Sequence, residues 1–175
     1  HGIANHLDQI IDAAANIKDD RVLINLIGDG MQKEHLKKLA QSLKVSNVVF
    51  YDPVPKEEVF KYIMGSDMGA SILKRVDTFK TIYSNKTFDY MSCKIPVLLL
   101  IDGISRELVE EAECGFYAEP ENVDEIVRVI KHCATFGNSE LVLMGENGYN
   151  YASTHFDRIK LADKYFKFLT SIQSV

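Results

Sequence analysis

Apolar residues recur through the opening stretch at spacings of three and four. Ile3, Leu7, Ile10, Ile11 and Ala14 share one side, which predicts a helix over residues 1–18. The run VLINLI at 22–27 is short and apolar, and Gly28-Asp29-Gly30 closes it, so it predicts a strand ending in a tight turn. Leu36, Leu39, Ala40 and Leu43 mark a helix over 32–43, and NVVFY at 47–51 a second strand. Asp52-Pro53-Val54-Pro55 makes a turn, with Pro55 suited to lead into a helix over 56–64. A strand over 67–73, a short helix over 85–92 and a strand over 96–101 follow. PVLLLI in that last strand is apolar throughout, so both of its faces should be buried. A helix over 105–112, a short strand near 115–118 and a helix over 123–135 come next. Two helices, 139–153 and 157–172, end the chain.

Strands alternating with helices predict an α/β fold: a Rossmann-like parallel sheet, helices on both faces, right-handed crossovers. Such units normally open with a strand, and this one opens with a helix. The plain reading is a fold that starts that way. The sharper reading, which we favour, is a strand preceding His1, making residues 1–175 one domain of a longer protein. A missing strand leaves its neighbours with unpaired backbone groups unless they close the gap, which predicts self-association or marginal stability. In the final helix, Tyr165, Phe166, Phe168 and Leu169 place apolar surface on more than one face. That surface serves either core packing or docking of 157–172 on an absent N-terminal domain.

Composition narrows the function. The chain has 175 residues, 46% hydrophobic and 26% charged, with 10 Gly and 4 Pro, which excludes disorder and fibrous repeats. A net charge of −5 argues against a nucleic-acid surface as the main business. Cys93, Cys114 and Cys133 fit no metal or redox spacing, and an odd count without a signal peptide predicts reduced thiols in the cytoplasm. The histidines are scattered without ligand spacing, so no metal site is expected.

In open parallel sheets ligands bind beyond the carboxyl ends of the strands. The loop before the short helix at 85–92 is the most informative. Ser84-Asn85-Lys86-Thr87 opens that helix, and a helix start offers free N–H groups and a positive dipole end. Ser84 or Asn85 suits a cap. Lys86 opposes the dipole unless an anion such as a diphosphate sits between them. The bland alternative is an ordinary capped helix with a solvated lysine. Asp89, one turn on, suits ribose hydroxyls, or a weak surface ion pair with Lys86. Gly28 and Gly30 lack the third glycine of a dinucleotide fingerprint and read first as a tight turn. The loop holding Lys74, Arg75, Asp77 and Lys80 is as readily solvated as substrate-binding.

With those residues in view, the chain resembles the C-terminal, donor-binding domain of a bacterial family 4 (group 1) glycosyltransferase of the GT-B fold. The segments HGIANHLDQIIDAAANI, VLINLIGDGMQKEHLKKLAQSLKVSNVVFYDPVPKEEV, YSNKTFDYMSCKIPVLL and ELVEEAECGFYAEPENVDEIVRVI carry the likeness in order. The third, with Ser-Asn-Lys and Asp-Tyr-Met, is similar to transferases that build capsule and O-antigen units. The resemblance implies a retaining, metal-free transfer from a nucleotide-diphosphate sugar, with UDP the expected nucleotide. Asn85, Lys86 and the helix start would hold the diphosphate, Lys86 acting in catalysis. Asp89 would bind ribose, Val54 would line the base, and Thr81, Ile82 and Tyr83 would lie near the sugar, Ser84 and the Gly28–Gly30 turn completing the site. The sequence departs from the family where Thr81 and Asp89 replace the two glutamates of its E-x7-E motif, and where the proline before Ser-Asn-Lys is missing. The acceptor, a sugar or lipid-linked saccharide, would sit on an N-terminal domain, leaving this chain inactive alone. The full enzyme would work in the cytoplasm or at the inner membrane face. A GT-B sugar-nucleotide epimerase and a non-catalytic nucleotide-binding or regulatory domain remain as alternatives.

Overall fold

The computed structural model describes residues 1–172. The elements run α1 (Asp8–Ala15), β1 (Ile24–Ile27), α2 (Lys33–Ser42), β2 (Val48–Tyr51), α3 (Lys56–Met64), β3 (Gly69–Ile72), α4 (Asn85–Ser92), β4 (Val97–Leu100), α5 (Ile104–Glu111), β5 (Gly115–Tyr117), α6 (Val123–Cys133), α7 (Asn138–His155) and α8 (Arg158–Ile172). Single 3-10 turns occupy Ile3–Asn5 and Asp77–Thr81.

Every ladder is parallel. β1 pairs with β2, and separately β3, β4 and β5 pair in that order. Helices cover both faces. One core gathers Ile10 and Ile11 of α1, Leu36 of α2 and Ile126 of α6 against Leu26 of β1 and Ile72 of β3. The other gathers Met91 of α4, Val109 of α5 and Cys114 against Val97 and Leu99 of β4. β4 is therefore covered from both sides, as its apolar run predicts, and all of its residues are buried. Each fully buried Ile or Leu contributes about 1.5–3 kcal/mol relative to exposure.

The opening helix is shorter than expected. His6 adopts φ 42, in the left-handed region, and splits the stretch into a 3-10 turn and α1. The Gln9 side chain donates to the His6 carbonyl (3.0 Å), and Lys74 N–H takes the Ala4 carbonyl (2.8 Å). Residues 1–7 are thus a loop tied to the end of β3, and the apolar spacing of Ile3 with Leu7 is coincidental to a helix.

α7 packs on α4 at glycines. A Cβ on Gly145 would overlap the Lys94 carbonyl, and one on Gly148 would stand 2.9 Å from the Cys114 Cβ. α8 has no buried residue: Tyr165, Phe166 and Phe168 are 64%, 65% and 59% exposed. Core packing within this domain is therefore not what its apolar face does.

Candidate functional site

The loops after the strands converge around the start of α4, which follows β3. Ser84 holds the N-cap position in extended conformation (φ −79, ψ 128), but its hydroxyl makes no bond to the helix. The expected side-chain cap is not formed; the Thr87 N–H donates to the Ser84 carbonyl (3.1 Å), and the N–H groups of Asn85 and Lys86 keep their capacity for a ligand or water. Lys86, in that turn, reaches across to the loop before α1 and donates to Asn5 Oδ1 (3.2 Å). Lys86 keeps solvent-accessible surface, yet enough protein atoms surround its ammonium that burial lowers the pKa; Asp89 opposes this and raises it. The Lys86–Asp89 contact is electrostatic only, with no ion pair between them among the described residues. Below the helix start, the buried Thr87 hydroxyl donates to Ser71 Oγ (3.1 Å), which fixes α4 to β3.

Gly28 and Gly30 adopt φ 130 and 148, a backbone region that side chains rarely occupy. A Cβ on Gly30 would stand 2.7 Å from the His1 carbonyl carbon and oxygen. The Gly30 turn thus lets the backbone of His1 pass beside it, and the Gln32 N–H donates to the His1 carbonyl (3.1 Å). The turn at 52–55 carries the half-buried Val54 and is held from α2. Lys33 is buried and donates to the Tyr51 carbonyl (3.0 Å) and to Asp52 Oδ1 (2.8 Å). That bond draws the Asp52 carboxyl below its ordinary pKa.

The residues placed near a sugar are occupied with their own loop. Thr81 Oγ1 donates to the Thr78 carbonyl (3.0 Å), the Ile82 carbonyl accepts from Ser105 Oγ (2.8 Å), and the Tyr83 ring packs on Phe88 and Phe156 (5.8 and 5.4 Å between centroids). The structure therefore brings Ser84, Asn85, Lys86 and Asp89 together on one helix start. Among the described residues, no hydrogen bond or ion pair joins them to Val54 or Thr81.

Four participants, Asn5, His6, Gln9 and Glu121, were not visible in the sequence. Asn5 meets Lys86 across 81 positions. Glu121, in left-handed conformation (φ 65), accepts from the Arg75 N–H (2.9 Å), pairs with His6 Nδ1 (2.9 Å) and donates its own N–H to Gln9 Oε1 (2.8 Å). The Arg75 N–H, and after it His6, hold the Glu121 carboxyl below its usual range. That knot fastens the loop bearing Asn5 to the loop after β3. Such partners are joined only by folding. The one local hint was the polarity of the ANH and EPEN segments.

A crevice of about 10 Å³ lies among Lys74, Phe79, Lys80 and Asp102. A larger cavity, about 340 Å³, is lined by Glu111, Asn147, Tyr151 and Thr154 at the far end of α5, and holds none of the groups above. The chemistry therefore sits on an open edge rather than in either of these hollows. Among the described residues no group of three His, Cys, Asp or Glu gathers to hold a metal ion, and no helix is long and apolar enough to cross a membrane.

The family described as glycosyl transferases, group 1, matches residues 3–136. No curated protein matches the chain. Among solved structures, HepE of Anabaena in complex with UDP superposes with a TM-score of 0.80 at 22% identity over 95% of this chain. WaaG, a glycosyltransferase involved in lipopolysaccharide biosynthesis, gives 0.70 at 18% identity over 87%. The C-terminal domain of LpcC from Francisella tularensis, a glycosyl transferase group 1 family protein, gives 0.73 at 17% identity over 90%. The chain spans 45% of HepE and 40% of WaaG, but 84% of the LpcC domain.

Proposed function

Because this chain belongs to the group 1 glycosyl transferases, we propose that it is the donor-binding half of a retaining glycosyltransferase of family 4 type that takes a UDP-sugar. One observation carries the reading: the Lys86 ammonium stands beside the uncapped first turn of α4, with Asp89 one turn on. Two phosphates suit that place, because backbone N–H groups and a fixed cation both favour negative charge. Solved structures of HepE with UDP and with UDP-glucose share the fold.

Lys86 and the α4 N–H groups then stabilise the charge that grows on the diphosphate as the glycosidic bond breaks. Asn85 hydrogen-bonds a phosphate oxygen, and Asp89 accepts from ribose hydroxyls. Val54 lines the base, and Thr81, Ile82 and Tyr83 border the sugar. Bond cleavage needs no metal in this scheme, because the leaving charge meets the ammonium. The acceptor, a sugar or lipid-linked saccharide, binds an N-terminal domain on which α8 packs its exposed apolar face. The pathway is surface polysaccharide assembly, of capsule or lipopolysaccharide, on the cytoplasmic side of the membrane. Alone, the chain binds donor weakly and transfers no sugar.

Titrating UDP into the chain while following amide shifts tests this. Shifts clustered at residues 84–89 and 52–55 are expected. None at millimolar UDP, in both this chain and a longer natural polypeptide containing it, overturns the donor reading. A second reading, a nucleotide-binding domain without transfer, has one observation in its favour: the Thr81 hydroxyl is committed to the Thr78 carbonyl, where the family carries a glutamate.

A further inference from the structure

Lys33 is the one charged side chain that is buried among the described residues. It opens α2, where a cation opposes the helix dipole, and a buried ammonium costs stability even when it is paired. An apolar side chain of similar volume would fill the place at least as well. Packing therefore does not account for it. What the ammonium does is hold two acceptors at the carboxyl end of β2, the Tyr51 carbonyl (3.0 Å) and Asp52 Oδ1 (2.8 Å).

The Asp52 side chain is 94% exposed, against 8% for Lys33. A carboxylate so exposed ordinarily moves among rotamers in water. Here Lys33 ties one oxygen down and holds the carboxyl below its usual range, while Oδ2 meets no donor among the described residues. The rest of the turn is stiff. Pro53 and Pro55 have fixed φ and no N–H, and the Val54 N–H meets no acceptor among the described residues. One tight turn thus offers a fixed anionic acceptor and an unused N–H donor. A short loop joins it to the start of α4. The His1 carbonyl accepts from the N–H of Gln32, next to Lys33 (3.1 Å), and Asn5 Oδ1 accepts from Lys86 (3.2 Å). The four residues from His1 to Asn5 extend about 14 Å at most. A nucleoside diphosphate with its phosphates at Lys86 therefore has its base within reach of the turn.

We propose, on the donor reading above, that Asp52 held by Lys33 selects the base, taking a keto base, uracil or guanine, over an amino base. Uracil presents a ring N–H between two carbonyl groups, and guanine a ring N–H beside one. In either, the ring N–H donates to Asp52 Oδ2 and the neighbouring carbonyl accepts from the Val54 N–H. Cytosine and adenine carry a bare ring nitrogen at the matching position. That nitrogen is itself an acceptor, so it faces the carboxylate with no proton to share, and a group built to accept is left unpaired. Asp52 is the contact in this scheme. Lys33 touches no ligand and is a positioning residue: it fixes the carboxylate in place and in its ionised form.

Dissociation constants for UDP, CDP, GDP and ADP, from amide-shift titrations of this chain, test the proposal. UDP should bind more tightly than CDP, or GDP more tightly than ADP, by about tenfold or more, the worth of one charge-assisted bond. UDP above GDP identifies the base as uracil, GDP above UDP as guanine, and either supports selection of a keto base. Asp52→Ala, at an exposed position where the fold tolerates change, should remove most of the preference. Lys33→Met, of similar volume, should remove it too, while Lys86→Ala should weaken all four nucleotides and leave the preference standing. A Lys33→Met variant that weakens keto and amino nucleotides alike makes Lys33 a brace of the turn and overturns its positioning role. Equal binding of keto and amino nucleotides by the unaltered chain, or a preference that survives Asp52→Ala, overturns the proposal and spares the donor reading. Binding of none of the four sinks the donor reading, and the role of Asp52 with it.

Discussion

At the scale of single residues, Lys86 is governed by two opposed effects. Burial lowers its pKa and Asp89 raises it, with burial the larger. The ammonium is therefore lost at lower pH than that of a free lysine. While Lys86 is charged and unliganded, the depressed pKa costs stability below the unfolded value, and that cost is relieved as pH rises through the folded value. A bound diphosphate reverses the preference. UDP affinity should accordingly fall as pH rises through the lowered pKa of Lys86, below the range of a free lysine, and the fall should vanish in Lys86→Met. Calorimetric titration across that range measures it, and a flat wild-type profile would remove Lys86 from the site. Lys86→Ala at neutral pH should weaken UDP binding by about tenfold or more, the worth of one charge-assisted bond. Gly30 has a different kind of constraint. Its φ of 148 and the nearby His1 backbone leave no room for a Cβ, so Gly30→Ala should destabilise the fold by about 1–3 kcal/mol in denaturant titration.

The elements differ in what holds them. α7 lies against α4 and the turn after it, where Gly148 approaches Met91 and Gly145 the Lys94 carbonyl. Gly145→Ala forces the helix off the Lys94 carbonyl and should lower the melting temperature by several degrees, an overpacking cost of about 1–3 kcal/mol. α8 is the opposite case. Lys160, Asp163, Lys164 and Lys167 sit on one arc, the apolar residues with Arg158 on the other, and none is buried. Deleting residues 158–175 should therefore leave the stability of this chain within about 0.5 kcal/mol while lowering its tendency to associate. A large loss of stability on that deletion would mean that α8 packs on its own domain. The pattern of residues 157–172 announced an apolar face. What that face meets depends on which surfaces the rest of the chain has left over.

At the scale of the whole molecule, the arrangement is two parallel ladders joined through a shared core rather than through backbone bonds. The period of apolar positions determined most of this from the sequence. Runs such as VLINLI and PVLLLI have one geometry that buries them, and β1 and β4 form where those runs lie. The glycines at 28 and 30 and the Ser-Asn-Lys start of α4 were legible too, because a turn and a helix start are local events. The first seven residues were misread as helix, since Ile3 and Leu7 keep helical spacing while His6 takes a left-handed conformation, its carbonyl bound by Gln9 and that of Ala4 by the Lys74 N–H. Whether Ser84 caps α4, which atom Lys86 meets, and how Glu121 ties two loops together all depend on groups far apart in the chain. Separation of β1 from β3 was decided at the same level. A sequence fixes which segments want a sheet through short-range periodicity, whereas pairing and electrostatic environment arise only when distant segments share one place.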